Sequence, residues 1–272
     1  MERNSPVYQT YVKILERELV PAMGCTEPIA IAYCAAVARS VLGELPDRIH
    51  VVASGNIIKN VKSVVVPNTG GRRGMETAAA IGALGGDETA GLEVIAHVPQ
   101  KAKDRLERYL QETEITVGAA QTDHVLDIEV TVSKGNSRAV VRAVNEHTNL
   151  VYIEKNGQVL EERPIEKRED PDAPDYTLLN VADICEFART CELSDVSAIL
   201  DRQIACNTAV AEEGLRGDYG ANVGSTFLKA YGTDIKIRAK ARAAAGSDAR
   251  MSGCELPVVI NSGSGNQGIT VS

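Results

Sequence analysis

The chain has 272 residues, of which 44% are hydrophobic and 24% charged, enough to bury one large core or two ordinary ones. A formal charge of -8 leaves no dominant basic surface, and the densest basic run, 236–250, is interleaved with alanines, so nucleic acid and anionic membranes are not expected partners. The opening residues 1–6 are polar and no apolar run approaches the ~20 residues of a membrane span, which makes the cytoplasm the expected location and makes Cys25, Cys34, Cys185, Cys191, Cys206 and Cys254 reduced thiols or metal ligands rather than disulfides.

Tyr8, Tyr11, Val12, Leu15 and Leu19 fall at helical spacing ahead of Pro21. After a short loop, Thr26 suits an N-cap and Ile29–Leu42 reads as a buried helix closed by Gly43. The β-branched runs 49–53 and 61–66 predict strands, a helix is predicted over 75–84, a strand over 92–98 and an exposed helix over 101–111. Leu126, Ile128, Val130 and Val132 alternate with polar residues as in a half-exposed strand, and Asn156-Gly157 between two apolar runs signals a hairpin.

The charged, proline-bearing stretch 161–175 is unsuited to a core. We therefore expect an α+β chain with a mixed α/β domain at 1–163 containing a partly antiparallel sheet, a linker at 164–176, and a mainly helical domain at 177–272. In the helical part, Asn180 caps a helix whose Val181, Ile184, Cys185 and Ala188 share a face, and 239–246 is alanine-rich helix.

Three segments could hold chemistry. Cys25 precedes a predicted helix N-terminus, where the macrodipole favours a thiolate able to act as nucleophile or metal ligand; a small buried residue in a tight loop is the plainer alternative. The loop Asn68, Thr69, Gly70, Gly71, Arg72, Arg73 lies between a strand and a helix and is either an anion-binding turn or simply a tight turn; it lacks the glycine spacing of a dinucleotide fingerprint. Asn261, Ser262, Gly263, Ser264, Gly265, Asn266, Gln267 and Gly268 follow an apolar run and concentrate amides, hydroxyls and carboxamides in one loop. Only 269–272 remain after it, so the helical domain reads as incomplete. The histidines His50, His97, His124 and His147 lie away from these motifs, and no catalytic base is assigned.

The segments MGCTEPIAIA (23–32), PNTGGRRGMETAAAIGALGG (67–86), CNTAVAEEGL (206–215) and SDARMSGCELPVVINSGSGNQGIT (247–270) together resemble the iron-sulfur L-cysteine desulfidase, or serine dehydratase alpha-chain-like, family. That resemblance implies a lyase that converts L-cysteine to hydrogen sulfide, ammonia and pyruvate, or eliminates water from L-serine. It implies a 4Fe-4S cluster held by three cysteines and no pyridoxal phosphate. Cys25 stands where the family has its first cluster ligand; the other two have no counterpart here, so this chain alone is expected neither to assemble the cluster nor to be active. The implied ligand is a small amino acid bound by Asn68, Thr69, Gly70, Gly71, Asn261, Ser262, Ser264 and Asn266. The expected macromolecular partner is another copy of the chain or a missing C-terminal portion, and a non-catalytic amino-acid-binding or subunit-interaction module is the alternative reading.

Overall fold

The structure is a computed structural model and describes residues 1–62, 64–165 and 172–272. It begins with helix α1 (Pro6–Glu18), whose N-cap Ser5 accepts from the Tyr8 amide, followed by strand β1 (Pro21–Met23) and helix α2 (Thr26–Leu42), which ends on left-handed Gly43. Strand β2 (Arg48–Ala53) leads into helices α3 (Gly55–Val61), α4 (Met75–Gly85) and α5 (Gln100–Glu112). Five strands complete the first half: β3 (Glu114–Ala119), β4 (Asp127–Lys134), β5 (Ser137–Val144), β6 (Leu150–Lys155) and β7 (Gln158–Glu162). The second half holds α6 (Val181–Thr190), α7 (Leu193–Arg216), α8 (Val223–Tyr231), α9 (Ile235–Met251), β8 (Pro257–Val259) and α10 (Gly265–Val271).

The fold is α+β, as expected. One sheet has the order β3-β2-β4-β5-β6-β7, with β2 and β3 parallel and the other neighbours antiparallel. The alternation read at 126–132 is the buried face of β4, where Ile128, Val130 and Val132 turn inward against α2. The β6–β7 hairpin turns on Asn156 and Gly157, both at positive φ, the backbone a two-residue loop of this kind demands. Helix α2 lies across the inner face with α4 beside it; a Cβ on Gly82 would come within 2.2 Å of the Ala32 carbonyl oxygen, so the two helix backbones touch. Alanines at 30, 32, 35 and 36 of α2 and at 78, 79 and 80 of α4 are all buried, small side chains that suit close packing of these helices on each other and on the sheet.

Two of the predicted strands are not strands. Of residues 61–66, residue 63 lies outside the described residues, Val61 ends α3, and Val65 forms only an isolated bridge with Arg73. Residues 92–98 hold a short 3-10 turn, 91–93, and a loop. Val61, Val64, Val65, Val66, Val94, Ile95 and Val98 are buried, but not in a strand ladder, a distinction that apolar runs alone do not encode. The N-cap of α2 is Cys25 rather than Thr26, and the polar segment 261–268 is not all loop, since α10 starts at Gly265 with Ser264 capping the Gln267 amide.

Of the linker expected at 164–176, residues 166–171 lie outside the described residues. The first elements of the chain pack with the last. Tyr8 and Tyr11 of α1 form a buried cluster with Phe187 and Val196, with edge-on ring contacts at 5.0 and 5.5 Å. Strand β1 pairs antiparallel with β8, Met23 opposite Pro257 and Pro21 opposite Val259.

Candidate functional site

The β1–β8 pairing brings the segment after Met23 beside the segment before Pro257, and three of the four motifs meet there. Gly24, at φ +62°, turns the chain from β1 into α2, and a Cβ on it would meet the Pro67 ring at 2.7 Å, so the 67–74 loop rests directly on the Gly24-Cys25 turn. From α9, the Arg250 side chain reaches the same turn: its Nε donates to the Gly24 carbonyl at 2.8 Å and its Nη1 to the Asn266 Oδ1 at 3.0 Å. Gly265 lies against that guanidinium, and a Cβ on it would come within 2.3 Å of Nε.

Cys25 is buried at this junction and its thiol donates to Glu27 Oε2 at 2.8 Å; Glu27 Oε1 accepts from Asn60 Nδ2 at 3.0 Å. The sequence reading, in which the α2 dipole lowers the thiol, is corrected by these surroundings. Burial above all, and then the Glu27 charge, push Cys25 up to about 12, against which the Arg250 charge acts only partly. Burial would raise the Glu27 carboxyl too, but the hydrogen bonds from Cys25, from its own backbone amide and from Asn60, together with the field of His147, hold it below the ordinary glutamate range. His147, in the turn between β5 and β6, is lowered by burial, while Glu27 and Glu146 pull it the other way and Arg250 adds to the lowering. This histidine, which sequence reading set aside, therefore lies within the field of Glu27 and Arg250.

The other expected contacts divide. Asn68 is buried at φ 62°, its Nδ2 donates to the Ile95 carbonyl at 2.7 Å and its Oδ1 accepts from Lys103 Nζ, while the Thr69 hydroxyl donates to the Val66 carbonyl at 2.6 Å. These side chains hold the loop in shape; the exposed Gly70 and Gly71 present its backbone. Ser262, at positive φ, donates to Asn261 Oδ1 at 3.1 Å, Ser264 is the α10 cap, and Asn266 is the residue of that segment tied to the Cys25 turn. Sequence reading missed Glu27, Asn60, His147 and Arg250. A carboxylate two residues after Cys25 and an arginine closing an alanine-rich helix were visible signals, whereas Asn60 and His147 had none.

A four-iron cluster needs several thiolates converging on one point. Among the described residues no three His, Cys, Asp or Glu side chains converge to hold a metal ion, and at this junction the Cys25 thiol is committed to Glu27. Cys34 is fully buried inside α2, and Cys254 sits below Tyr219 in the neighbouring apolar cluster. The donors of this chain therefore do not by themselves fit the cluster. Among the described residues, no helix is long and apolar enough to cross a membrane.

Residues 89–272 match the family described as the serine dehydratase alpha chain. The UPF0597 protein of Desulfitobacterium hafniense (strain Y51) is 54% identical over 277 residues, covering 100% of this chain and 63% of the relative. That of Lachnoclostridium phytofermentans is 52% identical, covering 98% of this chain and 64% of the relative, and that of Treponema denticola is 44% identical, covering 100% and 64%. The chain thus spans less than two thirds of the length of these relatives. No solved structure matches it. With the family match extending over more than half its residues, the chain belongs to the serine dehydratase alpha chain family.

Proposed function

We propose that this chain supplies the amino-acid-binding and proton-transfer part of a carbon-sulfur lyase that converts L-cysteine to hydrogen sulfide, ammonia and pyruvate. The observation that supports this reading is the convergence of the Gly24-Cys25 turn and Asn266 on the Arg250 guanidinium, with Glu27 bonded to the Cys25 thiol and His147 within the field of Glu27 and Arg250. In such an elimination a base takes the Cα proton, the electron pair forms the Cα–Cβ double bond, and the Cβ–S bond breaks with sulfide leaving. The aminoacrylate then takes up water to give pyruvate and ammonia. His147, whose imidazole burial lowers below its ordinary range within the field of Glu27 and Arg250, is the group proposed as that base. Cys25 is proposed as one thiolate ligand of an iron-sulfur cluster whose other ligands come from the length that the relatives have in addition.

The test is an anaerobic assay for pyruvate, ammonia and sulfide on a protein of the relatives' full length, with L-cysteine and L-serine as substrates. Equal yields of the three products from L-cysteine support the desulfidase reading; pyruvate from L-serine alone moves the activity to serine dehydration. That no metal donors converge among the described residues favours a second reading, an amino-acid-binding module without chemistry. Saturable binding with no product from either amino acid would select it.

A further inference from the structure

The Arg250 guanidinium is 5% exposed, yet it faces no anion. Nε is taken by the Gly24 carbonyl, and Nη1 is shared between Asn266 Oδ1 and, at 3.5 Å, the Met251 sulfur. Among the described residues the group makes no ion pair, and Nη2 donates to no protein atom. Glu27, the carboxylate beside Cys25, is already held by Cys25 and Asn60.

A positive charge taken out of water and met only by neutral acceptors is costly, and a buried guanidinium is ordinarily balanced by a carboxylate or phosphate that its planar fork can grip. Here two neutral acceptors fix the plane of the fork and leave one edge donor over. Gly265 packs directly on the guanidinium, where a Cβ would come within 2.3 Å of Nε, and so closes that side of the group. The group is therefore oriented before any ligand arrives, which lowers the entropy lost on binding. Its charge also acts on the Cys25 thiol and on His147, so whatever anion it holds lies within the field of both.

We propose that Arg250, through its free Nη2 edge, is the receptor for the α-carboxylate of the amino acid at this site, which makes it a specificity-determining residue for α-amino acids over amines. This rests on the elimination reading above and adds the atom that selects the substrate class. L-Cysteine and cysteamine differ by that carboxylate alone, so the pair isolates its contribution.

The experiment is isothermal titration of the chain with L-cysteine and with cysteamine under reducing, anaerobic conditions, repeated on Arg250→Gln and Arg250→Lys. L-Cysteine is expected to bind at least about 10-fold more tightly than cysteamine to the unaltered chain. In Arg250→Gln, L-cysteine should weaken by about 10- to 100-fold and cysteamine should not change, with Arg250→Lys intermediate because a point charge replaces an oriented fork. Equal affinity for the two ligands in the unaltered chain overturns the proposal even if the variants do not fold, as does absence of binding by both. So does a folded Arg250→Gln variant that still discriminates. Because the titration measures no turnover, a protein that discriminates through Arg250 but yields no pyruvate at full length would remove the elimination reading and leave the carboxylate receptor standing.

Discussion

Arg250 Nε donates to the carbonyl of Gly24 at 2.8 Å across 226 positions of sequence. The turn that presents Cys25 is therefore held from the far end of the chain. Arg250→Ala leaves a buried backbone carbonyl and the Asn266 carboxamide without their donor, and is expected to lower stability by about 2–3 kcal/mol in urea unfolding. Amide exchange at Gly24 and Cys25 should rise in the same variant, and unchanged exchange there would contradict the link.

Burial pushes both Cys25 and Cys34 up to about 12, above the ordinary thiol value of 9.0. A thiol raised on folding contributes stability that is complete below pH 9 and is lost as pH rises toward 12, because the unfolded chain gives up its proton first. Thermal unfolding between pH 8 and 11 is expected to show a falling midpoint, and Cys34→Ala should flatten that fall. In alkylation at pH 8 followed by mass spectrometry, the exposed Cys185 should label well before Cys25, and Glu27→Gln should speed Cys25 by removing the negative charge that helps keep its proton in place.

Asp127 is buried on β4 and receives both Nε and Nη2 of Arg142 from β5, at 2.9 and 2.7 Å. Burial would raise its carboxyl, but the hydrogen bonds from Arg142 and Thr122, followed by the charges of Arg142 and His124, lower it below 3.8. The stability it gives is present above pH 3.8 and is lost as pH falls below that value. Asp127→Asn should cost about 2–3 kcal/mol at pH 7, less than a fully buried pair because Arg142 is partly exposed, and the cost should shrink toward pH 3.

Gly214 of α7 lies on α9 so closely that a Cβ would stand 2.0 Å from the Ala245 carbonyl oxygen. Gly214→Ala must part the two helices and is expected to cost about 1–3 kcal/mol. Gly55→Ala, at the start of α3 with open space around it, is the control and should lie within about 0.5 kcal/mol of the unaltered chain.

The pattern of apolar residues was enough to find α1, α2, α4, α5 and α6, because each is either an apolar stripe at helical spacing or, as in α2 and α4, apolar and small nearly throughout, with a readable start or stop such as Pro21, Gly43 or Asn180. The β6–β7 hairpin was legible from Asn156-Gly157 for the same local reason. Strands were mistaken at 61–66 and 92–98 because a short apolar run states that residues are buried but not by what. The strand β3 was overlooked because its exposed residues give a parallel edge partner for β2 little pattern to show. At the site, Cys25 was legible as a thiol at a helix start. Its raised proton affinity was not, since that depends on Glu27 folding back and on burial produced by β1 meeting β8, two three-residue strands more than 200 positions apart.

The most direct test of the lyase reading is anaerobic reconstitution with iron and sulfide, followed by the visible spectrum and sulfide release from L-cysteine. It should be applied to this chain, to a version carrying the additional length found in the relatives, and to that longer version with Cys25→Ala. The expected result is charge-transfer absorbance and sulfide release in the longer version alone, both lost together in Cys25→Ala. A longer protein that gains neither, or a Cys25→Ala variant that keeps both, would contradict Cys25 as a cluster ligand and the lyase reading with it.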